Sequence, residues 1–195
     1  MLRFFFIYFL VFQSFSQNEY SKNGERHGPW KGYYENGQLR YEGVFKEGKE
    51  TGLFKYYYNS GNLEKELLYI KDGVYAKVRI YYSNKNIKTL GEYCSKKRCG
   101  TWEYFDPAGN IVIRENYQNA ILNGDYFVFL DGVLSDFYNY QNGQKNGLSK
   151  SFFSTGEVRV IKNYLNDKLH GEYEVFSKQG KLIEKFNYVN GFKVK

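Results

Sequence analysis

Cys94 and Cys99 are the only cysteines of the chain, and His27 and His170 its only histidines. A cysteine pair five positions apart can close a disulfide if the backbone brings it together. A zinc site would need two further ligands. Glu172 and Glu174 stand at i and i+2, which places both carboxylates on one face of a strand. Paired carboxylates do acid–base work only where a groove encloses a substrate. A basic set gathers within residues 76–99: Lys77, Arg79, Lys85, Lys88, Lys96, Lys97 and Arg98, against Glu92 alone. What any of these can do depends on the elements that position them.

Those elements follow a period of 24 residues. Gly28, Gly52, Gly100 and Gly124 are spaced by multiples of 24, and Ala76 fills the missing slot. Gly147 and Gly171 continue the series after a one-residue deletion. With this position as offset 0, offset 5 carries Tyr33, Tyr57, Tyr81, Phe105, Phe129, Phe152 and Phe176. Offset 11 carries Leu39, Leu63, Ile87, Ile111, Leu134, Val158 and Leu182. Offset 17 carries Phe45, Tyr69, Tyr93, Tyr117, Tyr140, Tyr164 and Tyr188. Such a fixed period marks a repeat architecture. Offsets 1–6 and 11–18 read as two strands, with short Asn/Asp/Gly loops near 7–10 and 19–22. Loops of about four residues join only antiparallel neighbours. The expectation is an all-β, elongated antiparallel meander of seven hairpins, fourteen strands in all, stabilised by nearest neighbours.

The segments GPWKGYYENGQL (28–39) and GLFKYYYNSGNL (52–63) show the pattern most fully. Over residues 20–195 it resembles the MORN-repeat variant family. The resemblance implies a hairpin-repeat fold and a protein- or lipid-associating module, with antitoxin-like as a further family label. Repeat three departs from it, with Ala76 and Lys85 in place of two glycines.

Alternation sorts the side chains into two faces. Offset 6 is expected opposite 11, and 18 opposite 23. Face A then holds the offset 2 and 4 residues, Trp30, Phe54, Val78 and Trp102 among them, with the offset 11 and 17 columns. It is the expected core, and the offset 0 glycine is expected to let the offset 17 ring lie over bare backbone. Face B holds charges at offsets 1 and 3, and the offset 5 aromatics with offset 12 as cross-strand partner. Successive rings of that row are about 9.6 Å apart, two strand spacings. The row is either structural, through pairs with Arg and Lys, or a stacking platform for a partner or glycan. Cys94 and Cys99, at offsets 18 and 23, become direct cross-strand neighbours and a disulfide pair. The histidines, six repeats apart, are separated by about 57 Å and cannot converge in one open stack. Both simply precede the repeat glycine. The glycines lie in hairpin turns and not between a strand and a helix, so no phosphate loop is formed.

Composition agrees. Among 195 residues there are 21 Tyr and 17 Phe but only 3 Ala and 1 Met, a strand-former's profile. Met1-Leu2-Arg3, the apolar run 4–12 and Ser14-Phe15-Ser16 read as a signal peptide cut after Ser16. The domain plan is a signal peptide (1–16), a lead-in (17–27) and a repeat domain (28–195), with repeats starting near 28, 52, 76, 100, 124, 147 and 171. Removal of the leader leaves a net charge of +6, nearly all of it in repeat three. The functional expectation is an exported (periplasmic, outer-envelope or secreted), non-enzymatic scaffold with no catalytic residues, metal or cofactor. Its partner is expected to be another protein or an envelope polymer, and not nucleic acid. A contact of the basic repeat with anionic lipid headgroups is the alternative. The candidate binding residues are Lys77, Arg79, Tyr81, Lys88, Lys96, Lys97, Arg98, Phe105, Phe129 and Phe152.

Overall fold

The structure, a computed structural model, describes residues 17–71 and 73–194, so the signal-peptide assignment lies outside the described residues. The strands are β1 Glu19–Tyr20, β2 Arg26–Tyr33, β3 Leu39–Lys46, β4 Lys49–Tyr57, β5 Leu63–Lys71, β6 Tyr75–Tyr81, β7 Ile87–Cys94 and β8 Lys97–Phe105. They continue with β9 Ile111–Gln118, β10 Ile121–Leu130, β11 Val133–Gln141, β12 Gln144–Lys145, β13 Gly147–Phe152, β14 Val158–Leu165, β15 Lys168–Phe176, β16 Leu182–Val189 and β17 Phe192–Val194. Each pairs antiparallel with its neighbours in sequence, except that β12 and β13 do not pair with each other and both pair with β11. The result is an all-β meander of 17 strands. The three beyond fourteen are β1 in the lead-in, β17 at the far end, and β12, split from β13 around Asn146.

Within each hairpin the expected register holds over offsets 0–4. Gly28 faces Phe45, Trp30 faces Gly43 and Gly32 faces Tyr41. A bulge then shifts the pairing, so that Tyr33 faces Leu39 and not Arg40. The same shift recurs at Tyr57–Leu63, Tyr81–Ile87 and Phe105–Ile111. The cross-strand partner of offset 5 is therefore offset 11, which corrects the expected offset 12. The cause is the turn that follows: Gly37 takes φ 81° and its amide bonds back to the Tyr34 carbonyl.

Apart from the β5–β6 connection, the loops between hairpins are two residues long, not four. Glu47-Gly48, Asn119-Ala120 and Asn166-Asp167 all have positive φ at both positions, the geometry of a type I′ turn. Matching the tight turn to the rest of the ladder requires a second bulge, as between Glu42 and Val44 opposite Thr51 and Lys55. The repeat glycine sits in that irregular stretch. Gly52 has φ 65°, and a β-carbon there would meet nothing within 4 Å. The offset 0 glycine thus serves the backbone, not an overlying ring. The rings lie instead over Gly43 and Gly91, where a β-carbon would fall 2.4 Å from Phe54 and Trp102 respectively. Ala76 avoids positive φ; pairing there runs unbroken from Lys65–Ile80 to Tyr69–Ala76.

The buried hydrophobic cluster is Trp30, Phe45, Phe54, Leu67, Val78 and Trp102, all on face A of the first four repeats. Phe45 meets Phe54 edge-on at 5.1 Å and Phe54 meets Tyr69 at 5.6 Å. Burial of a ring such as Phe54, 1% exposed, stabilises by about 1.5–3 kcal/mol. Further along, face A turns polar: Ser149 and Ser151 take the Trp30 and Gly32 positions and are themselves buried.

Candidate functional site

Face B is where Lys77, Arg79, Tyr81, Lys88, Phe105, Phe129 and Phe152 were expected, and its rows have distinct roles. At offsets 3 and 14 charges alternate across strands: Lys31 pairs with Glu42 at 3.9 Å, Arg114 with Glu103 at 2.8 Å, Lys185 with Glu174 at 3.0 Å. The offset 5 rings are tied to this row. Tyr57 donates to Glu42 at 2.7 Å and Tyr81 to Glu66 at 2.7 Å. The Arg114 guanidinium lies 6.0 Å from the Phe129 ring. Partial burial, then the Glu42 hydrogen bond, pushes Tyr57 up to about 12. Burial and Glu66 push Tyr81 upward in the same way. Tyr81, Phe105, Phe129 and Phe152 are half-buried, and the Phe105 carbonyl accepts from Tyr82. The row is woven into the sheet.

The basic set is dispersed. Lys77 and Arg79 are exposed on face B, where Lys77 stands opposite Glu92. Lys88 is exposed, its ammonium 5.5 Å from the Tyr82 ring. Lys96 lies in the β7–β8 turn and Lys97 opens β8, paired with Cys94. Arg98 lies on face A, 4.7 Å over Trp102, hydrogen-bonded to Tyr104 and Tyr117 at 3.1 Å and 3.9 Å from buried Glu115. Arg26 repeats the arrangement over Trp30, at 4.8 Å. Lys145 holds the same repeat position, 4.0 Å from the Tyr138 ring. This cation two residues before the repeat glycine was visible in the sequence but not singled out.

Cys94 and Cys99 are joined by a disulfide, with Cα atoms 5.8 Å apart. They are not direct partners as expected: Cys94 faces Lys97, and Cys99 faces Glu92. The two-residue turn Ser95-Lys96 and the adjoining bulge produce the offset.

The sequence reading also missed an aliphatic patch on face B. Leu53 and Leu68 are direct cross-strand partners, 44% and 45% exposed, and Val44 is 43% exposed nearby. Beside them lies a depression of about 440 Å³ whose lining includes Leu53, Leu68, Leu90, Glu66, Lys77 and Arg79. The signal was legible: offsets 1 and 16 carry Val44, Leu53 and Leu68 here, but Thr101, Asn116, Asp125 and Asn139 farther on. Those polar residues bond to one another, Thr101 to Asn116 at 2.9 Å and Asn139 to Asp125 at 3.1 Å.

Face A carries the buried cluster, as expected, but as a single layer. No helix or second sheet covers it among the described residues. Tyr41 and Tyr56 line a groove of about 360 Å³ with Arg26 and Glu64, and Tyr69 and Tyr93 line another of about 350 Å³ with Glu50 and Lys65. Among the described residues no three His, Cys, Asp or Glu side chains gather as metal ligands.

The family model for the MORN repeat variant matches residues 26–47, 50–71, 98–119, 145–166 and 169–190. These segments make up more than half of the chain, which belongs to this family. The unmatched intervals contain Ala76 and Lys85 on one side and the shortened repeat after Gly124 on the other. No curated protein matches the chain. It is similar to part of a GtfA/B complex bound to UDP and GlcNAc, at 14% identity and a TM-score of 0.24 over 73% of this chain and 24% of that one. It is also similar to part of accessory secretory protein 1, 2 and 3 of Streptococcus pneumoniae, at 17% identity and a TM-score of 0.21 over 57% and 19%. The chain thus spans about a quarter or less of these structures' lengths.

Proposed function

We propose that this MORN-variant repeat scaffold is an exported, non-enzymatic protein that binds another protein through face B of its second and third repeats. The observation that carries the reading is the exposed Leu53–Leu68 pair, which lines the face B depression together with Lys77 and Arg79. Apolar side chains set among charges of both signs are the anatomy of a protein interface, and an exposed contiguous apolar patch marks an interaction site. Export rests on the leader pattern of residues 1–16 and accords with a cystine, which persists in oxidising compartments.

The headgroup alternative draws less support, because Lys77 and Arg79 lie on one face, Arg98 on the other, Lys96 in a turn and Lys97 at the start of β8. The antitoxin-like role rests on the family resemblance, and no feature of face B favours it. Purification of the mature chain from the cell envelope tests the reading. Leu53→Thr with Leu68→Asn, the pair that Thr101 and Asn116 form at the same positions of repeat four, is expected to abolish partner retention at every salt concentration while leaving the unfolding temperature nearly unchanged. Retention unaffected by that pair, but lost on Lys77→Glu with Arg79→Glu and by added salt, is the outcome of the headgroup reading.

A further inference from the structure

The cation that precedes the repeat glycine has an indole beneath it in two repeats and none in a third. Arg26 and Arg98 lie over Trp30 and Trp102, and Arg98 also meets Glu115 and two tyrosine hydroxyls. In repeat six the tryptophan position is Ser149, so the cation has no indole beneath it. Lys145 turns to Tyr138 at 4.0 Å and Tyr164 at 5.5 Å. Lys162 converges on the same rings, at 5.7 and 5.8 Å. Neither ammonium joins an ion pair among the described residues. Two acids stand nearby and both are engaged: Asp136 accepts from Ser151 at 2.6 Å and Ser135 at 2.7 Å, and Asp167 accepts from the Lys145 backbone amide at 2.8 Å. Burial and the Lys145 charge both push Lys162 downward, against the pull of Asp136. An anion placed between the two ammoniums would relieve that repulsion.

We propose that face A of the fifth and sixth repeats binds an acidic polysaccharide, its anionic groups held by Lys145 and Lys162 and its sugar rings stacked on Tyr138 and Tyr164. All four side chains are half-buried on a face with no second layer among the described residues. The site asks for two things at once: negative charge for the lysines and a flat, partly apolar ring for the tyrosines. A uronate or a sulfated sugar offers both, whereas an acidic peptide offers the charge alone. A polymer is favoured over a single sugar because Tyr140, Tyr164 and Tyr188 repeat along the same face at two strand spacings, about 9.6 Å. This site is on the face opposite the Leu53–Leu68 patch and stands independently of it.

Affinity electrophoresis or calorimetry of the full mature chain tests the proposal, with polygalacturonate and dextran sulfate as probes, and neutral dextran and poly-glutamate as controls. Both acidic polysaccharides are expected to bind and neutral dextran to fail. Lys145→Gln with Lys162→Gln should weaken binding by about tenfold or more, roughly 1.4 kcal/mol. Lys145→Arg should retain it, and Lys77→Gln with Arg79→Gln should leave it unchanged. If the double glutamine variant unfolds, Lys145→Gln alone is compared with Lys145→Arg. The proposal is overturned if neither acidic polysaccharide binds, if poly-glutamate binds equally well, or if the face B pair costs as much as the face A pair.

Discussion

The Tyr57 hydroxyl donates to the Glu42 carboxylate across the β3–β4 ladder at 2.7 Å, and one repeat later Tyr81 does the same to Glu66. A ring column that could have formed an open platform is thereby fastened to the ion-pair row beside it. Tyr57→Phe and Tyr81→Phe are each expected to cost about 0.5–1.5 kcal/mol, as for a removed hydrogen bond. Urea unfolding measures it; no change in either midpoint would leave the column unexplained.

Alkali should unfold the protein through the same hydroxyls. Tyr57 is held up to about 12 by burial and by Glu42, and Tyr138 to about 12 by burial and Asp136. Between pH 10 and 12 the folded chain keeps protons that the unfolded chain has released, so stability falls as pH rises through that window and is intact below it. Unfolding temperature recorded from pH 8 to 12 should be flat to about 10 and then decline, less steeply for Tyr57→Phe.

Two kinds of glycine should respond differently to substitution. Gly52 is needed for its φ of 65° in open space, so Gly52→Ala should cost about 1–2 kcal/mol and Gly52→Asn less, since Asn tolerates that conformation. Gly91 is needed because Trp102 lies on it, so Ala and Asn there should be equally damaging. Conversely Lys85 holds φ 72° without being glycine, and Lys85→Gly should stabilise by up to about 1 kcal/mol. Thermal melts of the set decide; Gly91→Asn behaving like Gly52→Asn would contradict the distinction.

Loss of the cystine should be mild. The turn it closes is already set by Ser95 and Lys96, and so short a loop gains less than the ~3 kcal/mol of a fifteen-residue one. Cys94→Ala with Cys99→Ala, compared with the oxidised protein by urea unfolding, should remain folded with the same slope.

Much of the fold was legible because the repeat writes each column seven times. The period located the hairpins, and the alternation of Trp30 with Lys31 or Phe54 with Lys55 assigned the faces. The bulges were not legible: they arise from backbone angles at Gly37 and Gly52 that spacing alone does not encode, and they displaced the partners of Tyr33 and Cys94. The packing glycines Gly43 and Gly91 escaped notice because Leu67 and Glu115 occupy the same offset in other repeats. The Leu53–Leu68 patch was missed for the opposite reason. It breaks the repeat, and a reading built on what recurs gives least weight to what does not.

The central claim is that face B of repeats two and three meets a partner protein. A photo-crosslinking residue placed at position 53 or 68, and at position 56 on face A, tests it in intact cells. The expected result is one discrete adduct with another protein from positions 53 and 68, absent at 56. An adduct from position 56 alone, or none from 53 and 68 with the protein folded and exported, would contradict it.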